Sequence, residues 1–148
     1  MRAYYVYLRA MKMVHPRLIE TRSATLELVS DALIELRFKP DVKLDVEGMS
    51  EIVRAKRTLI AGKNMDVLAV LPAELDFELN VLGMDLNAVN GGCGGAHRLA
   101  LAAQSTFNER ITGIYFKYHP REQATGIFLT EEDARKWLNT KLPEPSAS

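Results

Sequence analysis

The chain has 148 residues, 47% of them apolar and 26% charged, with 19 basic side chains set against 19 acidic ones. At this length roughly 70% of the unfolded surface can be buried, so one core forms without a metal or disulfide, and a second full domain does not fit. Zero net charge removes the chain-wide attraction that polyanions exert, which counts against DNA, RNA and anionic membranes as partners.

Residues 1–18 read as a loosely attached arm. The run Tyr4-Tyr5-Val6-Tyr7-Leu8 falls short of the ~7–15 residue core of a signal peptide, and no Ala-x-Ala-like cleavage site follows it. Arg2, Arg9, Lys12 and Arg17 come without the serines of an organelle transit peptide. Met11 and Met13 offer alternative starts. No stretch approaches the ~20 continuous apolar residues of a membrane-spanning helix. Cys93 is the single cysteine and cannot form an internal disulfide, which fits a reducing cytoplasm.

From Ala24 to Phe38, apolar and polar residues alternate on either side of Ser30-Asp31, the pattern of a hairpin of two half-buried strands. Pro40-Asp41 breaks it. Asp45 then stands where an N-cap accepts backbone N–H groups, ahead of a helix predicted over Val46 to Ala61. Val46, Met49, Ile52, Val53, Leu59 and Ile60 recur at three- and four-residue spacings, and Gly62 supplies a left-handed stop. Gly48 weakens the first turn of that helix slightly.

Val67 to Leu71 is a continuous apolar run ending at Pro72, as in a central strand covered on both faces. The stretch Glu74 to Asn90 fits both periods, and the expectation is an extended or irregular first half with a short helix near Asp85. Gly91 to Gly95 reads as a flexible loop and Leu99 to Ala103 as a second buried strand. Ser105 caps a helix whose apolar stripe is Phe107, Ile111, Ile114/Tyr115 and Tyr118, ended by Pro120. Thr125 to Leu129 is a short strand. Thr130-Glu131-Glu132-Asp133 opens a last helix, with Ala134, Trp137, Leu138 and Leu142 inward, before a Pro- and Ser-rich tail from Pro143 to Ser148. The resulting order is β-β-α-β-(variable)-β-α-β-α. It implies an α/β domain over residues 19–142, with a mixed, mostly parallel sheet of four to five strands and helices packed against it.

Three segments carry a family resemblance. Phe38-Lys39-Pro40-Asp41-Val42-Lys43-Leu44-Asp45, Ile114-Tyr115-Phe116-Lys117-Tyr118, and the closing block from Ile127 to Leu138 resemble the small bacterial SpoIIAA-like proteins of the STAS superfamily. The resemblance spans about Ile19 to Leu142. It implies a cytoplasmic, non-enzymatic module. The anti-sigma-factor antagonists of that superfamily bind a kinase and are switched by phosphorylation of a Ser at a helix start after the central strand. The corresponding region here, after Leu71 and through Gly95, has no Ser or Thr, so that phosphoswitch is not carried over. Similar folds occur in CRAL-TRIO-like lipid carriers, which implies a hydrophobic-ligand role by analogy.

Candidate chemistry is sparse. Gly91-Gly92-Cys93-Gly94-Gly95 invites a phosphate cradle, but His97 stands where a dinucleotide fingerprint needs its third Gly and no Walker Lys follows. Cys93 and His97 as nucleophile and base lack an orienting Asn or Asp. His15, His97 and His119 have none of the short spacings that build most zinc sites. Asn64 to His97 contains Asp66, Glu74, Asp76, Glu78 and Asp85 but no Lys or Arg, and Leu75, Phe77 and Leu79 alternate with the acids. One edge of that segment is therefore apolar and the other anionic, suiting a basic or amphipathic partner or a homodimer contact. Tyr115 and Tyr118 serve the core on this reading, leaving Phe116 outward as a partner or ligand surface.

The sequence thus points to a candidate interaction surface of Leu75, Phe77, Leu79, Glu74, Asp76, Glu78 and Phe116, with no catalytic residue, metal or cofactor assigned. The first expectation is protein association, as a homodimer and with a protein regulator. The second is a carrier or sensor of a small apolar ligand, and an enzyme ranks third.

Overall fold

The computed structural model describes residues 17–86, 96–121 and 123–140. Most of the expected amino-terminal arm, the Gly91–Gly95 loop with Cys93, and the expected tail lie outside the described residues. Among the described residues six strands form one sheet in the order of the chain: β1 (Leu18–Glu20), β2 (Ala24–Ser30), β3 (Leu33–Phe38), β4 (Met65–Val70), β5 (Ala96–Ala102) and β6 (Ala124–Phe128). The first three pair antiparallel and the rest parallel, so the sheet is mixed and mostly parallel as expected. The count exceeds the expected four to five. The added strand is β1, whose Ile19 opposes Leu26 and packs on the core between exposed Leu18 and Glu20. Three residues are too few to show a two-residue period in sequence.

Among the described residues three helices cover the sheet: α1 (Val46–Ile60), α2 (Thr106–Tyr118) and α3 (Glu131–Leu138), with a short 3-10 helix at Leu79–Gly83. The strand alternation divides the core. Leu26, Ile34, Leu36, Val67, Ala69 and Leu101 face α1 and α2 on one side. Leu68, Val70, Ala100 and Ala102 face Ala134, Trp137 and Leu138 of α3 on the other. That two-sided burial explains the unbroken apolar runs of β4 and β5.

Asp45 Oδ1 accepts from Gly48 N at 2.7 Å, the N-cap expected from the sequence. At the other end the left-handed position falls on Ala61 (φ 49°, ψ 43°) as well as on Gly62 (φ 80°), so the helix stops one residue earlier than a glycine-based reading places it. Gly48 has a tertiary reason. A Cβ there would lie 2.5 Å from Ser23 Oγ and 3.0 Å from Asp45 Oδ1, so glycine lets the first turn of α1 close on the buried serine beside β2.

The stripe expected on α2 is rotated in the structure. Ile111 and Tyr115 face inward, but Phe107, Ile114 and Tyr118 are 60%, 50% and 75% exposed, while Phe116 packs on the core. The cause is Asn108, only 2% exposed. Its Nδ2 donates to Pro72 O (2.9 Å) and Ala103 O (2.8 Å), with a longer contact to Ala73 O (3.4 Å). A buried amide that satisfies backbone carbonyls fixes which side of the helix turns inward. Periodicity scores it as polar and therefore outward.

On the opposite face, Thr130 Oγ1 caps α3 by accepting from Asp133 N at 3.1 Å. Arg37 of β3 donates to Glu131 (2.8 Å) and Glu35 (3.1 Å), and Arg135 donates to the same two carboxylates at 2.7 and 2.6 Å. The interlocked cations and anions tie the start of α3 to β3. Gly126 of β6 leaves room for the Phe128 ring, since a Cβ there would sit 2.6 Å from it and 3.2 Å from Trp137.

Candidate functional site

Among the described residues, the side of the sheet covered by α1 and α2 is incompletely filled. A cavity of about 150 Å³ lies above Leu36, Val67, Ala69, Leu99 and Leu101 of the sheet. Met49, Ile52 and Val53 of α1 form one wall, and Ile111, Thr112, Tyr115 and Phe116 of α2 the other. Its roof is the segment from Leu75 to Leu86, which contributes Leu75, Phe77, Val81, Leu82 and Leu86. Among the described residues bordering the space, Lys56 alone carries a charge.

The roof is held by directional bonds at both ends. Near its start, Leu44 N donates to Asp76 O and Glu78 N donates to Leu44 O, both at 2.9 Å, so Phe77 pairs with Leu44 as a single parallel bridge. Near its end, Tyr115 OH donates to Met84 O at 2.6 Å and accepts from Leu86 N at 3.1 Å. His119 Nε2 lies 3.2 Å from Leu82 O, and its ring stacks at 4.6 Å on Tyr115. Burial raises the Tyr115 phenol above its ordinary value, with the Asp85 charge adding to the shift. The phenol therefore stays protonated and keeps donating.

These positions redistribute the residues singled out in the sequence. The alternation of the 74–78 stretch is present: Leu75 and Phe77 point inward, and Glu74, Asp76 and Glu78 are exposed. Leu79 breaks from its expected apolar set, being 78% exposed. The inward members and Phe116 meet at the cavity rather than on an outer apolar surface. The expected outward position of Phe116 is corrected by the Asn108-determined rotation of α2, which places it on the core with its ring edge-on to Tyr115 at 5.0 Å. The short helix expected near Asp85 is the 3-10 turn at Leu79–Gly83, slightly upstream.

Cys93 and His15 lie outside the described residues. His119 is engaged on the roof, and among the described residues no three His, Cys, Asp or Glu side chains converge on a metal-sized site. No helix among the described residues is long and apolar enough to cross a membrane. Sequence reasoning missed Tyr115 and His119 as clasps on the roof. Both lie more than thirty residues from the backbone groups they hold or nearly so, and periodicity carries no information about such partners.

The fold has a solved counterpart. The structure of an uncharacterised DUF3478-family protein with a SpoIIAA-like fold, from Shewanella loihica PV-4, is similar over 82% of this chain and 90% of that one, with a TM-score of 0.50 and 17% identity. That likeness shows a shared SpoIIAA-like fold, as the three sequence segments implied. No curated protein matches the chain. A family model matches residues 27–142, which include the cavity's sheet floor, both its helical walls and its roof, and the chain accordingly belongs to the family described as a domain of unknown function, DUF7793.

Proposed function

We propose that this domain holds a small apolar ligand, as a carrier or sensor, in the cavity between the sheet, α1, α2 and the Leu75–Leu86 roof. The observation that carries the reading is about 150 Å³ of space walled almost wholly by aliphatic and aromatic side chains. A comparable apolar cavity in another protein stays dry and accepts a benzene-sized guest. Of the apolar residues first expected at an association surface, Leu75, Phe77 and Phe116 line this space, which favours ligand holding over association as the primary role. On this reading the domain is a non-catalytic cytoplasmic module of a bacterial cell.

Native mass spectrometry and thermal unfolding test it. The purified chain should carry or take up an apolar molecule, with a rise in melting temperature that follows ligand concentration. Ala69→Phe, which adds a ring to the cavity floor, should abolish both effects. A chain that binds no apolar probe and gains no stability contradicts the proposal.

A second reading, association with another copy or a protein regulator, is supported by the outward Phe107, Ile114 and Tyr118 of α2. It predicts a concentration-dependent mass in sedimentation that Ile114→Lys abolishes while the unfolding midpoint stays within error.

A further inference from the structure

We infer that the cavity is selective for a neutral molecule about the size of a single ring, and that it discriminates against carboxylates and long acyl chains. This inference rests on the ligand-holding reading above and adds the chemical class of the occupant. Three observations carry it.

The first is size. About 150 Å³ seats one benzene-sized body, and the volume of a long acyl chain exceeds it. The second is the state of the polar groups on the walls. Thr112 Oγ1 already donates toward Asn108 O and Glu109 O, at 2.8 and 3.2 Å. The Tyr115 hydroxyl both donates and accepts with the roof. Lys56 also has an interaction within the chain. A carboxylate drawn into this space would lose its hydration and compete for groups that already have partners, which is strongly unfavourable.

The third is the field. Glu74, Asp76 and Glu78 project from the outer side of the roof, in a stretch that runs from Asn64 to His97 without a Lys or Arg. An approaching anion meets like charge at the cavity's cover, and a neutral molecule does not.

Ligand-observed NMR and calorimetry on the full chain, with toluene, indole, benzoate and palmitate as probes, test the inference. Toluene and indole should bind. Benzoate, a ring of the same size with a charge, should bind about tenfold more weakly or worse, and palmitate should not displace indole. Leu75→Trp, which fills the cavity from the partly exposed roof, should abolish toluene binding even if Ala69→Phe fails to fold.

Benzoate binding as tightly as toluene and weakening in Lys56→Gln would overturn the inference. So would palmitate displacing indole, provided Leu75→Trp abolishes its binding. Either outcome leaves ligand holding intact. If none of the four probes binds, or binding persists unchanged in Leu75→Trp, ligand holding itself is overturned together with its selectivity.

Discussion

Arg98 of β5 and Asp66 of β4 form a close ion pair beneath α3, Nη2 to Oδ2 at 2.8 Å with a second contact from Nε at 3.3 Å. The same guanidinium donates to Leu138 O (2.9 Å) and Thr140 O (3.1 Å), and lies 5.6 Å from the centre of the Trp137 ring. One side chain therefore ties two central strands to the carbonyl end of the last helix, where a cation is favoured. Removing a partner from so enclosed a pair leaves a charge and several carbonyls unsatisfied. Arg98→Met should lower unfolding stability by about 3–5 kcal/mol in urea titrations, and Arg98→Lys should recover only part of it, since an ammonium lacks the planar fork.

Acid should loosen α3 through Glu131. The hydrogen bond from Arg37 is the largest influence on this carboxyl; burial opposes it, a hydrogen bond from Arg135 adds to it, and the net result is a fall from 4.5 to about 2. A depressed folded-state value means that its contribution is complete above pH about 4.5 and fades as pH falls through about 2. Urea midpoints measured between pH 7 and 2 should fall across that window, and Glu131→Gln should flatten the decline while lowering stability at pH 7. An unchanged slope in the variant would remove Glu131 as its source.

Gly48→Ala separates local propensity from packing. Alanine favours an isolated helix by about 1 kcal/mol, but here its Cβ would meet Ser23 Oγ at 2.5 Å. The expected net effect is a loss of about 1–3 kcal/mol, the range for forcing an extra methyl into a filled site. A more stable variant would show that Ser23 moves aside without penalty.

Ala61→Gly should act in the opposite direction. The left-handed backbone at Ala61 costs an L-residue about 1–2 kcal/mol, and glycine's greater freedom in the unfolded chain returns about half of that. A net gain of about 0.5–1 kcal/mol in thermal or chemical unfolding is the expected result.

The sequence disclosed the elements that repeat a local pattern. The hairpin around Ser30-Asp31 and the Asp45, Ser105 and Thr130 caps are where residue spacing placed them, and the two buried central strands overlap their expected runs but begin earlier, at Met65 and Ala96. It also separated inward Leu75 and Phe77 from outward Glu74, Asp76 and Glu78. What it concealed depended on distant partners. Asn108 turns α2 through bonds to the end of β5 and the loop after β4, and that rotation exchanges the expected places of Phe116 and Tyr118. The cavity was equally hidden, because a void is a mismatch of volumes between elements and leaves no mark on the periodicity of any one of them.

Xenon-pressurised crystal diffraction tests the central claim most directly, because xenon settles in apolar space and avoids hydrated grooves. A xenon atom bound between Val67 and Leu99 of the sheet and Phe116 of α2, beneath Phe77, is the result this account predicts. Ordered waters in that volume, or a roof collapsed onto the sheet with no xenon bound, would contradict it.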